Sequence, residues 1–488
     1  MSIIKSIFSY ANRWLVYFVL IAWFLLFLFT TIKMGYVTGI IISIIPVAII
    51  VFVAFVKNPF WAFILVFIAN FTLSGLSRYV KAISPGITMD LIIVVTIVAL
   101  ILNLMSRNTT LKYGNARNGL TFLAVIWFLY CLFQIFNPNS SSIVAWVTGV
   151  RSLGVYFVII VVFTAIFLDN IKRIRQFLFL WAILSLLAVL KAFIQKTYGF
   201  DPAELRWLFV EGGNNTHILY YGIRYFSFFT DAGNFGTGMA FYGVVFGIYS
   251  LYVKDFKSKV FFFITALACA YGMIISGTRG SLAVPFAAFS LFSILSKKSS
   301  LLIFTLTGVF FAYIFLNYTN YGQGNTYIRR MRSAFNSNDP SLLIRLENQQ
   351  KLRTYMWDKP FGVGIGMSVT SNLVDYKPDP FVSKIPSDSW YVRVWMETGI
   401  VGLIIHLINL LFIVAYGAYL VYFKIKNSEL KGLITAFVCG LSGVYVAAYS
   451  LEIIGQFPTS FIMFMCMTLI FRSKILDKDL EEIEPTTS

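Results

Sequence analysis

The chain has 488 residues, of which 58% are hydrophobic and only 12% are charged. In an ordinary soluble domain about a quarter of the residues are charged, and a folded soluble protein keeps much of its surface in water. A cytosolic enzyme, a secreted disulfide-linked scaffold and a disordered chain are therefore excluded. The net charge of +18, from 39 Lys and Arg against 21 Asp and Glu, allows two interpretations: the basic residues set the orientation in a membrane, or some of them bind an anion.

Apolar runs of membrane-spanning length follow one another through most of the sequence. A bilayer core of about 30 Å needs roughly 20 apolar residues per helix. The sequence contains about fourteen such runs, near residues 14–32, 36–56, 59–75, 88–105, 119–136, 150–168, 176–197, 235–253, 260–276, 280–296, 301–318, 398–423, 432–452 and 457–471. The first run lacks a small-residue cleavage site and is interpreted as a transmembrane helix. The pattern predicts an all-α, polytopic transmembrane helix bundle.

The charges between the predicted spans alternate. If the N-terminus lies inside, every inward connection is basic, as at Lys172, Arg173 and Arg175, whereas the short outward connections hold few basic residues. Cytoplasmic loops of membrane proteins carry this excess of Lys and Arg. The alternation predicts a multi-pass protein with both termini in the cytoplasm.

Two outward segments, near residues 198–234 and 319–397, are too long to be turns. The predicted organisation is a bundle of about eleven helices with the first of these loops, a large outward loop, three C-terminal helices and a cytoplasmic tail, over residues 1–318, 319–397, 398–471 and 472–488. Orientation does not explain the basic residues of long outward loops, because such loops escape the positive-inside rule. They predict an outward-facing anion site.

Arg279 lies in the outward turn Ser276-Gly277-Thr278-Arg279-Gly280, between two apolar runs. An arginine at this position has two interpretations. It extends to the headgroup level from the end of a helix, or it serves a ligand, because the flanking glycines let a partner approach the backbone closely.

A helix is predicted to begin in the large outward loop at Asp339-Pro340, with Asp as the N-cap and Pro at the first helical position. Arg345, Gln349 and Arg353 recur every four residues and therefore share one face of this helix. The face is either solvated or binds phosphate, since the guanidinium fork matches phosphate oxygens. Upstream, the basic run Arg329 to Arg332 is interpreted as attraction to anionic lipid headgroups.

The glycines of Gly362-Val363-Gly364-Ile365-Gly366 follow a predicted helix rather than a strand. A nucleotide fingerprint is therefore not supported, and the run predicts a tight turn that needs positive φ angles.

Asp388, in Ser387-Asp388-Ser389-Trp390, stands where an amphipathic stretch leads into an apolar helix. Asp or Ser at such a position is a helix N-cap, or Asp388 is a general base at the membrane surface. Further along this stretch, Gly399 and Gly402 are expected to permit close helix packing.

The shorter outward loop contains the aromatic run Arg224-Tyr225-Phe226-Ser227-Phe228-Phe229. These aromatic side chains either form an interface belt or stack against sugars. Neither the four cysteines nor the two histidines, His217 and His406, come with metal-ligand spacing. His406 lies inside a predicted span and is interpreted as a polar group with an internal partner.

Four features, in this order, resemble the O-antigen ligase and O-antigen polymerase superfamily of bacterial membrane glycosyltransferases. They are an Arg-x-x-Ser-Phe segment at Arg224, the Ser-Gly-Thr-Arg-Gly turn at Arg279, a Ser-x-x-x-Arg helix leading to Pro-x-Gly-x-Gly at Ser341, Arg345, Pro360, Gly362 and Gly364, and a Glu-x-Gly-x-x-Gly segment at Glu397, Gly399 and Gly402. The resemblance covers about residues 220–405 and implies a GT-C-like bundle.

The resemblance implies an inverting transfer of a glycan from an undecaprenyl-pyrophosphate donor, on the periplasmic side of the bacterial inner membrane. In the ligases, arginines at the positions of Arg279 and Arg345 bind the donor pyrophosphate, and Arg224 and Arg353 are the candidates to assist them. The ligases begin the last motif with a histidine that is proposed to activate the acceptor hydroxyl. Asp388 stands at that position here, which makes it the candidate catalytic residue and favours a surface-polysaccharide polymerase over a ligase that transfers to lipid A-core or protein.

Metal-dependent oligosaccharyltransferases of similar architecture carry paired acids in the first outward loop, which here reads Lys33-Met34-Gly35. The sequence therefore predicts a transferase without a metal or other cofactor, whose partners are the lipid-linked donor, a glycan or lipid-linked acceptor and membrane lipids, with no nucleic acid. A polysaccharide flippase is the alternative from another class; it needs charges within its spans and has no use for the large loop. A membrane scaffold or sensor is a further alternative, but no motif in the sequence supports it.

Overall fold

A computed structural model describes residues 13–34, 36–81, 84–106, 111–219, 222–296, 299–336, 338–371 and 373–483. The first helices are α1 (Arg13–Met34), α2 (Tyr36–Lys57), α3 (Phe60–Tyr79), α4 (Pro85–Met105), α5 (Gly119–Phe133), α6 (Ile143–Val150), α7 (Tyr156–Phe167) and α8 (Ile171–Thr197). A π-helical segment, Arg151–Val155, joins α6 to α7. Residues 1–12, and residues 484–488 of the predicted cytoplasmic tail, lie outside the described residues.

The shorter outward loop contains α9 (Pro202–Phe209), α10 (Asn214–His217) and a small antiparallel hairpin of β1 (Ile218–Leu219) and β2 (Gly222–Ile223). It is followed by α11 (Ala232–Ser250), α12 (Phe256–Ile275), a 3₁₀ turn (Arg279–Leu282), α13 (Ala283–Leu295) and α14 (Ser299–Tyr318). The large loop contains α15 (Thr326–Arg332) and α16 (Pro340–Tyr355), and the chain ends with α17 (Trp390–Phe423), α18 (Ser428–Ala447) and α19 (Thr459–Ile483).

The predicted all-α, polytopic bundle is confirmed. Within the described residues, nine helices are long and apolar enough to cross a membrane, so the predicted count of about fourteen is not confirmed. Four further apolar helical stretches are shorter: Ile21–Lys33 in α1, Ile44–Lys57 in α2, Arg279–Leu295 in the 3₁₀ turn and α13, and Leu306–Tyr318 in α14. The glycine-rich α11 is almost wholly buried among other helices.

Contacts divide the chain into two units, residues 1–66 with 90–110 and residues 67–89 with 111–488. In the first unit, the amide of Asn103 donates to the carbonyl of Val56 at 2.8 Å, which joins α4 to α2. This hydrogen bond satisfies the side-chain amide of Asn103, which would be costly to leave unpaired at membrane depth.

The core of the second unit surrounds α11, which packs against α12 and α18. Small residues permit this closeness, as is common in membrane bundles. A Cβ at Gly236 would lie 2.8 Å from Cβ of Ser276, and one at Gly443 would lie 2.5 Å from the carbonyl oxygen of Val284. The end of α12 and the start of α13, on either side of the Arg279 turn, are therefore held close to α11 and α18.

The long helix α17 contains a sharp break at Gly399, whose φ of 71° and ψ of −175° are far from helical. Such angles are essentially restricted to glycine. Across the break, the indole N–H of Trp390 donates to Nε2 of His406 at 2.9 Å. The segment that starts at Trp390 thus folds back against the apolar part of α17, and the prediction of an internal partner for His406 is confirmed.

Candidate active site

The turn after α12 is the centre of an arginine cluster. Gly277 has a φ of 59°, and Arg224 reaches the turn from the shorter loop. Its Nη2 donates to Oγ1 of Thr278 at 2.9 Å, and its Nε lies 3.4 Å from the carbonyl oxygen of Ser276. Arg224 is therefore fixed against the turn that carries Arg279.

Arg330 joins the same turn from the large loop. Its Nε donates to the carbonyl of Gly277, and a Cβ at Gly277 would lie 3.3 Å from Cδ of Arg330 and 3.5 Å from Cγ of Arg224. Glycine at this position allows both arginine side chains to approach the backbone. Sequence reasoning assigned Arg330 to lipid headgroups, whereas the structure places it beside Arg224.

Arg279 is oriented by residues of the large loop. Its Nη1 donates to Oδ2 of Asp339 at 2.5 Å and to Oγ of Ser333 at 3.1 Å. The side chains of Arg279 and Asp339 are only 18% and 15% exposed. The pair is thus partly shielded from water, where its electrostatic interaction is stronger than at an open surface.

Asp339 also begins α16, as predicted: the backbone N–H of Leu342 lies 3.3 Å from its Oδ1. Arg345 and Gln349 follow on this helix. Nε of Arg345 and Nε2 of Gln349 are buried from solvent and have no hydrogen-bond partner within the described part of the chain. Arg353, further along, is exposed. Buried donors without an acceptor are costly, so Arg345 and Gln349 are suited to an oxygen-rich ligand.

Asp388 lies two residues before the first residue of α17 and does not cap this helix. The N-cap is Ser389, whose side chain accepts from the backbone N–H of Val392, so the N-cap interpretation of Asp388 is wrong. Asp388 is exposed and has a φ of 43°, a left-handed conformation that Asp and Asn tolerate better than most residues. Its carboxylate is therefore available at the start of the helix.

The connection between α18 and α19 links the Arg279 turn to the start of α17. The backbone N–H of Trp390 donates to the carbonyls of Ala448 at 3.0 Å and Leu451 at 3.3 Å. A Cβ at Gly280 would lie 3.1 Å from Cδ1 of Leu451. One segment of chain thus contacts both the turn that carries Arg279 and the residues that follow Asp388.

A largely buried group of charges includes Glu452 of this segment. Arg393 donates to Oε1 of Glu397 at 3.2 Å and to Oε2 of Glu452 at 3.3 Å. Glu397 also accepts from Oγ of Ser368 at 2.5 Å, and its Oε2 is buried without a partner among the described residues. Burial raises the pKa of Glu452, Arg393 partly offsets that rise, and the charges of Glu397 and Asp388 add to it. Glu452 therefore belongs to the electrostatic surroundings of Asp388.

The glycine turn preceding these residues has the conformation predicted for it. Gly362, Gly364 and Gly366 have φ angles of 80°, 103° and 79°. A Cβ at Gly362 would lie 2.6 Å from the backbone nitrogen of Gly399. Gly399 therefore accommodates this loop, and not a neighbouring helix as predicted. Gly402 does face another helix, since its Cβ would lie 2.8 Å from the ring of Tyr130 on α5.

The aromatic residues of the shorter loop form a core and not an open platform. Phe226 and Phe229 are fully buried, and the guanidinium of Arg78 lies 4.4 Å from the centre of the Phe226 ring. Arg78 also donates to the carbonyl of Ser227 at 2.9 Å. Because these rings are buried, they form neither the interface belt nor the sugar-stacking surface that the sequence suggested.

His217 has a structural position in this loop. Its Nε2 accepts from the backbone N–H of Ala232 at 3.0 Å, and its Nδ1 lies 2.9 Å from the carbonyl oxygen of Gly213. Burial lowers the pKa of His217 to about 4. The neutral ring thus holds the loop against the start of α11, next to Asp231, whose side chain caps that helix.

The structure thus brings Arg224, Arg279 and Asp388 around one connecting segment and joins Arg345 to them through the Asp339 cap, whereas Arg353 lies exposed. Sequence reasoning missed Arg330 and Glu452. Glu452 could have been found from the sequence because it is an acidic residue in a short connection between apolar runs. Ionisable groups near membrane spans are often functional. Within the described residues, no group of three or more His, Cys, Asp or Glu side chains is arranged to hold a metal ion, and metal independence stays a prediction.

The family model described as O-antigen ligase matches residues 264–407, which contain Arg279, Arg345, Asp388 and Glu397. The resemblance stated from the sequence is thereby confirmed. No curated protein and no solved structure gives a significant match to the chain.

Proposed function

We propose that this chain polymerises a surface polysaccharide, as a membrane glycosyltransferase of the O-antigen ligase and polymerase type. The donor is a glycan on undecaprenyl pyrophosphate at the periplasmic face of the inner membrane, and the transfer inverts the anomeric configuration without a metal. One observation carries the proposal: Arg224, Arg279 and Arg330 converge on one turn, which shares a neighbouring segment with the start of the Asp388 helix.

The arginine cluster supports an anionic donor. The leaving pyrophosphate gains negative charge as the glycosidic bond breaks, and preorganised cations stabilise such charge best where water is partly excluded. Arg279 and Arg345 hold the two phosphates, and Arg224 or Arg353 assists. The pyrophosphate takes the place of Asp339 on Arg279 and supplies acceptor oxygens to the buried Nε of Arg345.

Asp388 acts as the general base. Its carboxylate takes the proton from the acceptor sugar hydroxyl, and the freed oxygen forms a bond to the anomeric carbon of the donor from the face opposite the pyrophosphate. The bond between the anomeric carbon and the phosphate oxygen breaks, and undecaprenyl pyrophosphate leaves with the electron pair.

A ligase is the second candidate, because the family model that matches residues 264–407 is described as O-antigen ligase. Asp388 in place of the ligase histidine favours the polymerase. Both reactions use the same donor and the same displacement, and they differ in the acceptor.

The glycan made by a strain that lacks this protein distinguishes the two candidates. The polymerase proposal predicts a lipid core that bears a single repeat unit. A naked core, with polymer accumulating on the carrier lipid, identifies a ligase instead. Unchanged polysaccharide would overturn both, and loss of repeat units from the periplasmic face, measured on isolated vesicles, would indicate a flippase.

A further inference from the structure

Glu452 lies in the connection between α18 and α19, directly after the residues of this connection that contact the Arg279 turn. A Cβ at Gly280 would overlap Oγ of Ser450 and would lie 3.1 Å from Cδ1 of Leu451. Glycine leaves room for this close approach of the connection to the turn. The chain is therefore fixed beside the arginine cluster immediately before Glu452.

The same connection reaches the start of the Asp388 helix. The carbonyl of Leu451 accepts from the backbone N–H of Trp390 at 3.3 Å, two residues after Asp388. Burial raises the pKa of Glu452, and the charge of Asp388 adds to this rise, so the two carboxylates lie within electrostatic range of each other. Glu452 thus adjoins both parts of the proposed site, the one for the pyrophosphate and the one that activates the acceptor.

One carboxylate oxygen of Glu452 is held by the protein and the other is not. Nη1 of Arg393 donates to Oε2 of Glu452 at 3.3 Å, whereas Oε1 has no hydrogen-bond partner in the part of the chain that the structure describes. The side chains of Glu397, Arg393 and Glu452 are 0%, 14% and 22% exposed. Glu452 is therefore the member of this charged group that a ligand reaches most easily.

We propose that Glu452 binds the acceptor glycan, with Oε1 accepting hydrogen bonds from hydroxyl groups of the sugar that Asp388 activates. The inference rests on the proposed function and deepens it by assigning a residue to the acceptor. A carboxylate is suited to this task because it accepts several hydrogen bonds, each of them charge-assisted. Arg393 is a positioning residue that orients the carboxylate before the sugar arrives, which lowers the entropy cost of binding.

The charges of the site favour the acceptor over the donor head as the ligand of Glu452. The carboxylate repels the pyrophosphate that the arginine cluster is proposed to hold, whereas a neutral sugar hydroxyl donates to it. Because Glu452 and Asp388 are in range of each other, a sugar bound through Oε1 can present a neighbouring hydroxyl to Asp388. In this arrangement Glu452 holds the sugar and takes no proton from it.

The test measures the KM for the donor and the KM for the acceptor separately. The donor is the lipid-linked repeat unit extracted from a strain that lacks this protein. The acceptor is the free repeat-unit oligosaccharide, which is released from that lipid by mild acid and labelled at its reducing end. Purified full-length protein in lipid nanodiscs is assayed, and only transfer to the labelled acceptor is counted.

Glu452→Gln keeps the shape of the side chain and one oxygen for Arg393, but it presents an NH₂ group in place of Oε1. We expect the KM for the acceptor to rise by about tenfold or more, because charge-assisted hydrogen bonds are lost. The KM for the donor should change by less than about twofold. An unchanged KM for the acceptor in the folded variant, or a rise in the KM for the donor alone, would overturn the assignment.

The matched control is Glu211→Gln. Glu211 is a carboxylate of the shorter loop that pairs with Lys81 at 3.2 Å and with Arg206 at 3.5 Å. The same substitution there also removes a charge from an ion pair, and it should leave the KM for the acceptor at the wild-type value. Thermal unfolding in detergent shows whether each variant is folded. Glu452→Asp, which withdraws the carboxylate by one methylene group, replaces Glu452→Gln if the latter is unfolded, with the same expected result.

A binding measurement separates this inference from the proposed function. The free repeat-unit oligosaccharide is titrated calorimetrically, without donor, into nanodiscs that contain wild type, Glu452→Gln or Glu211→Gln. We expect the Kd to rise by about tenfold or more in Glu452→Gln alone. Equal binding by all three proteins would overturn the inference even if glycan transfer is active. The expected order of affinities without any transfer would leave Glu452 as a glycan-binding residue and refute the proposed function.

Discussion

Arg279 and Asp339 form the ion pair that connects the outward turn to the large loop, with Nη1 and Oδ2 2.5 Å apart. The same carboxylate begins α16 by accepting from the backbone of Leu342. In the proposed function, the donor pyrophosphate must displace this carboxylate from Arg279. Asp339 therefore has two opposing effects: it positions the helix of Arg345 and competes with the ligand.

Asp339→Asn is expected to tighten binding of the donor. Asn caps a helix about as well as Asp, so α16 should keep its start, while the competing negative charge is removed. A partly shielded ion pair contributes on the order of 1 kcal/mol, so the KM for the donor should fall by about fivefold. Steady-state transfer at varied donor concentration measures this. Weaker donor binding in Asp339→Asn would instead make Asp339 necessary to orient Arg279.

Arg279→Lys is expected to weaken donor use, because a lysine supplies a point charge and loses the two parallel N–H groups of the guanidinium fork. The loss should appear in both kcat and KM, since the phosphate gains charge in the transition state. Arg329→Lys provides a matched control on an exposed arginine of α15 and should retain most activity. Near-normal turnover by Arg279→Lys would indicate an arginine that serves the membrane interface alone.

Asp388→Asn tests the general base with little change of the backbone. The residue has a φ of 43°, which Asn adopts readily, whereas a change to alanine would add strain at this angle. Loss of the base should lower kcat by about 10²- to 10⁴-fold while the protein still inserts into the membrane. Ser387→Ala is the neighbouring control. Full-length glycan made in cells by Asp388→Asn or Asp388→Ala would refute the assignment.

Arg393 lies between two carboxylates, and its loss should cost more than the loss of either one. Arg393→Met leaves Glu397 and Glu452 without their cation, and breaking a buried pair in this way typically costs about 3–5 kcal/mol. Glu452→Gln leaves the pair of Arg393 with Glu397 intact and should cost much less. Thermal unfolding in detergent ranks the two variants. Equal melting temperatures of the two variants would show that water stabilises the carboxylates of Glu397 and Glu452 when Arg393 is removed.

Local signals in the sequence were enough to predict the conformation of several of these residues. Asp339 before a proline predicts a helix start from two neighbouring residues, and three alternating glycines predict positive φ angles. Arg330 and Glu452 could not be placed in this way, because their partners Gly277 and Arg393 lie 53 and 59 residues away along the chain. The rings of Phe226 and Phe229 were ambiguous for another reason: composition does not distinguish a buried aromatic cluster from an exposed one, and Arg78 from a distant helix decides it.

His217 gives the shorter loop a pH-dependent stability. Burial lowers its pKa from the ordinary value of 6.5 to about 4, so the unfolded chain takes up a proton between these values that the folded protein does not. Its contribution is fully present above pH 6.5 and is lost as the pH falls through 4, with a total on the order of 3 kcal/mol. Thermal unfolding of wild type and His217→Gln between pH 7.5 and 4.5 measures it, and the difference between the two curves removes the effect of the carboxylates that both proteins share. We expect the wild-type melting temperature to fall more steeply; parallel curves would mean that His217 is protonated in the folded loop.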